Sequence, residues 1–557
     1  MGRYCWRIAT AAYWIMSLDP QPIGEIPEMT VRVARAAFRK GNTVMRLREE
    51  FGTLYTDADF SALFPKRGQP ALAPWRLALV SVFQFLENLT DRQAADQVRA
   101  RIDWKYALGL ELEDAGFDFT VLSEFRARLI QGNSEHLLLD TMLAHFKAQG
   151  LIKAKGKQRT DSTHVLAHVR SLNHLELVAE TLRAALNELA GAAPGWLKEV
   201  SPPEWFERYG QRVYDFRLPK GQAPRDAYGV TVGQDGFRLL AALEADNVPE
   251  ELRTLPYVQT LRLVWSQHYD RTAGAVRLRD GPELPASAER PVSPYELEAR
   301  GSTKRGLWWI GYKAHLTETC DEQEVHLITH VLTTPAMVQD VRCTAEIQQA
   351  LIDSELAPET HLVDSGYVDA QLFAESSTRK IRLIGPPRPN TSWQAKTEGA
   401  FDDRAFSVDW DASRVTCPQG KTSWKWYDTP DRYERPAITV KFHPEDCRDC
   451  ELRARCTRSK TSPRMLKLHP KEVQEALRAV QNEGLGKVYA LRSGVEGTIA
   501  QGTRTYGLRQ ARYRGLVKTH LQHVMTAVAL NTSRVTAWLD GLPQAKTPTS
   551  RFSALRA

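Results

Sequence analysis

Apolar residues recur at intervals of three and four in PWRLALVSVFQFLENL and again in FTVLSEFRARLI. That spacing is the stripe an amphipathic helix buries, so residues 31–150 read as an all-helical N-terminal domain. Between those runs, LTDRQAADQVRARIDWKYALGL opens on a Thr-Asp start signal, then holds a short helix and a second segment with Trp104 and Lys105. The order fits a helix-turn-helix, which would make 31–150 a DNA-binding domain, or else a plain helical packing domain. Near residue 150 the period changes. LIKAKGKQRTDSTHVLAHV sets a basic turn before a strand-like run with an Asp in its middle, an unfavourable residue for a strand interior. Residues 170–303 then form a long insertion, helical in SLNHLELVAETLRAALNELA and VQTLRLVWSQHYD and closing in a polar loop through Pro282, Pro285, Pro291 and Pro294.

Strand-like runs return in LWWIGYKAHLTET and EVHLITHVLTT, followed by a helical stretch from Asp340 to Ser354. A strand HLVD, a turn at Ser365-Gly366 with a short helix, and a last strand IRLIGP complete the series. Three strands, then helix, strand, helix and strand, predict an α/β fold with a mixed sheet flanked by helices. The predicted core occupies residues 151–169 and 304–400, the helical insertion and linker 170–303, a cysteine-rich insert 401–470, and the C-terminal part of the core 471–540. Residues 1–30 and 541–557 read as a flexible leader and tail, with Met16 an alternative start.

At 557 residues the chain exceeds one hydrophobic core, so two to four domains are expected. No apolar run approaches the roughly 18 residues that span a bilayer, so no membrane partner is expected. Seven cysteines are too few for a disulfide scaffold of this size, which points to the reducing cytoplasm. The net charge of +7 becomes informative only when located. From Leu485 to Leu539, Lys487, Arg492, Arg504, Arg509, Arg512, Arg514, Lys518 and Arg534 face one acid, Glu496, so that segment carries the whole net charge. A basic surface around a lone carboxylate suits a polyanion whose phosphates approach a metal-binding acid, or is a solvated basic helix.

Asp364 closes the apolar strand HLVD just before the chain turns. Should the Asp161 strand lie beside it, the two carboxylates meet at the sheet edge, where sites of α/β folds gather. There they repel unless a divalent cation neutralises them. Tyr489, Arg492 and Glu496 follow at offsets of three and four, one face of a helix. Gly494, Gly497 and Gly502 would each cost such a helix about 1 kcal/mol, so packing must support it.

FPKRGQPALAPWRLAL, RTDSTHV, the SLNHLELVAETL insert, GYKAHLTETCD, LVDSGY, RSGVEGT and GLVKTHLQHVMTAVALN, with the Tyr-Arg-Glu spacing, resemble the bacterial insertion-sequence DDE transposases across about residues 45–540. The nearest likeness is to the group numbered eleven eighty-two. The resemblance implies a ribonuclease-H-like core that cuts DNA and transfers strands with Asp161, Asp364 and Glu496 as catalytic acids. It also implies two Mg²⁺ or Mn²⁺ ions, Asp161 bridging both, with the element's terminal inverted repeats and target DNA as partners and a homodimer as the acting form. Tyr489 and Arg492 are implied to touch phosphates near the cut. The signature's Lys, seven residues after the Glu, is Thr503 here, with Arg504 beside it as the substitute contact. Arg509, Arg512, Arg514 and Lys518 complete the expected DNA-facing set. A nuclease that cuts without joining, and a DNA-binding regulator without catalysis, are the alternative readings.

Cys447, Cys450 and Cys456 lie within ten residues, and Cys417 precedes them in CPQG. Four thiols with one C-x2-C pair read as a structural zinc site, or else as free thiols. Zinc would give this hydrophilic insert a fold that apolar burial could not, with Arg448, Arg453, Arg455 and Arg458 turned to DNA. Cys5, Cys320 and Cys343 have no partner pattern, and His520 and His523 read as surface or core residues.

Overall fold

A computed structural model describes residues 17–542, apart from positions 21, 69, 273, 305, 432 and 433, together with residues 552 and 555. The first sixteen residues of the expected leader, Cys5 among them, and most of the expected tail lie outside the described residues. Six strands build the central sheet: β1 (Lys157–Leu166), β2 (Arg300–Lys304), β3 (Leu307–Thr319), β4 (Ile328–Pro335), β5 (Thr360–Leu362) and β6 (Arg382–Ile384). β3 runs antiparallel to β1, with Asp161 opposite Leu316, and takes β2 and then β4 along its other edge. β5 and β6 continue from β1 in parallel. Antiparallel strands on one side and parallel strands on the other, with helices packed against them, make this the expected ribonuclease-H-like α/β fold.

The helix Pro74–Leu86 is apolar on nearly every face and is buried from Pro74 to Phe85 with few exceptions. It packs against the C-terminal helix, Leu516–Leu539, which lies on its other side against β4. The helical domain and the sheet therefore share one apolar core, running from Val44 to Val535. Such a position forces every polar group of the C-terminal helix to find a partner. Asn531 accepts from the Ile328 amide and donates to the Ile328 carbonyl, both at 2.8 Å, and so pairs with the start of β4 as a neighbouring strand would. Thr526, Thr532 and Thr536 return their hydroxyls to carbonyls one turn back.

The Thr-Asp start signal is real, since Thr90 caps Asp91–Ala100 in a capping box with Gln93. The helix-turn-helix reading fails at the next element. Ile102–Leu108 follows after one residue, and Asp103 to Leu108 are all buried. Trp104 lies wholly inside, and Lys105 donates to the carbonyls of Leu112 and Asp114 at 2.9 and 2.7 Å. A helix whose side chains are used up in the core has none left to read base edges.

The insertion of 170–303 has a core of its own, with Val178, Leu182, Val232, Leu239, Val258 and Trp265 at its centre. Gly236 lets the helix Gln222–Leu243 reach Trp265, where a Cβ would lie 2.2 Å from the indole. The stretch expected to be helix and then loop differs: the helix stops at His268, and Tyr269–Thr272 pairs with Ala275–Leu278 in a hairpin. β2 also emerges from the span assigned to the linker. The cysteine-rich insert corrects the reading that only metal could fold it, because three strands (Lys425–Pro430, Pro436–Lys441 and Met465–Leu468) bury Phe406, Val440, Phe442, Leu466 and Leu468. Among the described residues, no helix is long and apolar enough to cross a membrane.

Four imidazoles gather where the helical domain, β4 and the C-terminal helix meet. His136 and His520 approach at 2.9 Å between Nε2 atoms, His136 stacks on His330 at 5.3 Å, and His523 meets the Thr333 hydroxyl at 2.8 Å. Burial pushes His330, His520 and His523 down to about 3 and holds His136 below its ordinary value. The unfolded chain, with histidines near 6.5, takes up protons before the folded one does, so this contribution is complete above that value and is lost as pH falls from about 6.5 toward 3. The urea midpoint is expected to decline from about pH 6.5 downward, before carboxylates titrate; a midpoint flat to about pH 5 would contradict the burial.

Candidate active site

Asp161 sits mid-strand on β1, buried at 8% exposure, with the Ser162 amide donating to its Oδ1 at 2.7 Å. Asp364 stands two residues beyond β5, where the Gly366 amide donates to its Oδ1 at 2.8 Å. Any side chain at Gly366 would press on that oxygen at 2.9 Å, which explains the glycine. Glu496 lies in the first turn of the helix Gly494–Tyr506, the end where a carboxylate suits the helix dipole. Tyr489 and Arg492 are not on that helix. They occupy a 3₁₀ segment, Lys487–Ser493, that leads into it, because Gly494 begins the α-helix and the chain is wound more tightly before it.

The three acids converge on one guanidinium. Arg492 Nη2 lies 2.6 Å from Asp161 Oδ2 and 3.7 Å from Asp364 Oδ2, while Nη1 lies 3.1 Å from Glu496 Oε1. Arg492 Nε is buried with no partner of its own among the described residues. Burial raises the Asp161 carboxyl above the usual carboxylate range, opposed by Arg492 and the Ser162 amide and reinforced by the charge of Asp364. Tyr489, next to this cluster, has its phenol raised by burial.

Several residues at the site escaped the sequence reading. Asp340 accepts from the Ser162 hydroxyl at 3.1 Å and pairs with Lys313 at 2.8 Å, directly beside Asp161. Glu318 is wholly buried on β3, where Arg159 meets it at 2.7 Å, Arg534 at 2.8 Å and the Thr498 hydroxyl at 2.6 Å. Arg159 also donates to the Leu491 carbonyl at 2.5 Å. The available signal for Glu318 was a charged residue in GYKAHLTETCD, inside a strand that is otherwise mostly uncharged, since a charge kept inside a sheet needs a partner there.

The other expected contacts divide. Arg509 donates to the Thr163 hydroxyl at 2.7 Å, on the strand of Asp161. Arg504, Arg514 and Lys518 are exposed, Arg514 lying over the Tyr295 ring. Arg512 is taken up elsewhere: it donates to the Leu89 carbonyl at 3.1 Å, bonds Asn88 and covers the Phe85 ring, which clamps the C-terminal segment to the helical domain. Cys417, Cys447, Cys450 and Cys456 face one cavity lined by Phe401 and Phe406, unpaired by disulfides. Burial pushes the Cys456 thiol up to about 11, and the other three thiols add to it. Among the described residues, no group of three or more His, Cys, Asp or Glu side chains is drawn together so that it could hold a metal ion as it stands. Cys320 and Cys343 are buried thiols pushed up to about 12.

Two stretches of the chain match known families. Residues 33–128, most of the helical domain, match a Transposase domain (DUF772), and residues 416–536, from the cysteine-rich insert through Glu496 into the C-terminal helix, match a Transposase DDE domain. Neither description distinguishes one insertion-sequence group from another. No curated protein matches the chain.

Glu318 supplies the strongest test of how the site is held. Replacing it by Ala leaves Arg159 and Arg534 buried without counter-charge, which is expected to cost about 3–5 kcal/mol in urea unfolding. A loss under about 1 kcal/mol would mean that water already reaches the pair.

Proposed function

We propose that this chain, an insertion-sequence DDE transposase on the strength of its two matched domains, cuts DNA at the ends of its element and joins the freed 3′ ends to target DNA. The observation that carries the reading is the convergence of Asp161, Asp364 and Glu496 on one cationic centre. Three carboxylates brought from three separate elements cost Coulomb repulsion, and a fold tolerates that where it serves chemistry.

The donor set, three hard carboxylates, fits a hard divalent cation such as Mg²⁺ or Mn²⁺. Arg492 fills the space between them, so loading requires its guanidinium to move. Asp161, Asp364 and Glu496 would hold two such ions, which supply Lewis-acid stabilisation for an in-line displacement at phosphorus. Everything else falls to the side chains. Arg492, once released, presents a planar fork to two phosphate oxygens, and the Tyr489 hydroxyl donates to a third. Arg509 on the β1 side and the exposed Arg504, Arg514 and Lys518 draw the DNA backbone toward the acids. No side-chain nucleophile is required, because the displacing group is water or a DNA 3′-hydroxyl. The acting form is a homodimer on paired ends, in the cytoplasm where the DNA lies.

We also read the four cysteines as a structural zinc site. Four thiols around one cavity match zinc in chemistry, and deprotonation with a small closure of the insert would complete the tetrahedron. Protein purified without chelator is expected to carry about one zinc per chain by mass spectrometry, and a Cys447→Ser/Cys450→Ser double variant none. Full zinc content in that variant would remove the site.

For the catalytic reading, Asp161→Asn is expected to cut a duplex copied from the DNA that brackets the reading frame at least about a thousandfold more slowly with Mg²⁺, while binding it within about threefold of wild type. Cleavage at the wild-type rate would take Asp161 out of the site. Products joined to a second plasmid separate a transposase from a nuclease that only cuts.

A further inference from the structure

β2 and the first residues of β3 form a hairpin, with Arg300 opposite Gly311 and Lys304 opposite Leu307. Its turn passes through Gly306, at φ +79°. Its base is fixed at Gly311, at φ +149°, where a Cβ would lie 2.1 Å from the Val165 carbonyl oxygen, so only glycine lets β3 lie against β1 there. Beyond that point Trp309 turns inward and packs on the His164 ring at 5.6 Å, three residues along β1 from Asp161. The neighbouring positions turn outward. Leu307 and Trp308 are 53% and 55% exposed, and the side chain of Lys304 is exposed and makes no ion pair among the described residues.

Through Trp309 the hairpin is anchored on the strand of Asp161. The charge of Lys304 is near enough to bear on Asp161, His164 and His315 together, favouring the carboxylate of the first and disfavouring protonation of the other two. Arg509, bonded to Thr163, bears on His164 as well. Two large apolar side chains are thus left open to water beside a cation whose charge reaches Asp161, a combination suited to covering by a ligand. Cations at its border select a polyanion, and an exposed indole offers a stacking face to bases of any sequence.

We propose that the Arg300–Gly311 hairpin is a strap over the DNA being cut, in which Lys304 contacts a phosphate beside the scissile bond and Leu307 and Trp308 lie against the adjoining bases and sugars. This rests on the DNA-cutting reading above. The strap fixes the position of the strand along β1, so that one phosphodiester lies over Asp161.

Wild type, Lys304→Ala, Lys304→Arg and Trp308→Ala are to be compared on the fluorescein-labelled duplex copied from the bracketing DNA, by anisotropy across a salt series and by cleavage rate. All four should melt at the same temperature, since the side chains are exposed. Lys304→Ala is expected to lower kcat/KM about tenfold and to flatten the salt dependence of binding by about one phosphate, ~0.9 in log–log slope. Lys304→Arg should recover most of both. Trp308→Ala should weaken binding severalfold with the slope unchanged, and lose part of the tryptophan quench that DNA causes in wild type. A wild type that cuts, beside a Lys304→Ala variant of equal rate and slope, overturns the strap alone; a wild type that neither binds nor cuts overturns the strap and the function together.

Discussion

A carboxylate that water does not reach must keep its counter-charges, and Glu318 keeps two. Arg159 reaches it from β1, two residues before Asp161, and Arg534 from the C-terminal helix, while Thr498 donates from the helix of Glu496, two residues after that acid. Arg159 spends a further hydrogen bond on the Leu491 carbonyl, next to Arg492. One buried side chain thus ties the strand of the first acid, the turn that carries the central arginine and the helix of the third acid. Its folded carboxyl lies below its ordinary value, the two arginines outweighing the cost of burial, so the charge persists and the tie holds at neutral pH. Hydrophobic packing could bring these elements together, but it would not fix their registry so tightly.

Around that frame, Arg492 is both counter-ion and obstacle. Without a cation, Asp161, Asp364 and Glu496 would push apart, and burial would drive Asp161 to take up a proton. The guanidinium opposes this by bonding Asp161 and lying within reach of the other two, although burial still leaves the Asp161 carboxyl raised. The acids are therefore held around one cation in the folded chain. Among the described residues the Nε of Arg492 finds no partner, so the arrangement leaves one donor unsatisfied.

The mixed α/β class and the all-helical start could be read in the chain because each depends on local pattern: strand runs in LWWIGYKAHLTET and a helical stripe in PWRLALVSVFQFL; the acids that meet at Arg492 stood out as an Asp inside a strand, an Asp at a strand's close and a lone Glu in a basic segment. What escaped reading was set by distant partners. Ile102–Leu108 looks like a presented helix until Lys105 is seen to be spent on the carbonyls of Leu112 and Asp114. Arg512 counts as a surface cation until Leu89 and Phe85 claim it. Nothing local to Glu318 or Asp340 says which cation each meets, and their meaning lies in Arg159, Arg534 and Lys313. The hairpin through Arg300–Lys304 was hidden because its Pro-rich approach favours loops, while its pairing comes from β3.

Joining Asp161 to the Arg492 turn closes a span of 331 residues. For an unstructured loop of that length the closure would cost about 5 kcal/mol of chain entropy. Two features reduce it. The 170–303 insertion and the cysteine-rich insert each bury a core of their own, so most of the intervening chain is ordered independently of the site and the flexible path is much shorter. The C-terminal helix, packed between the helical domain and β4, brings Arg534 to Glu318 as part of the same burial that completes the main core. The contacts that hold Glu318 therefore belong to the same packing that closes the main core, and they tie the strand of Asp161 to the helix of Glu496.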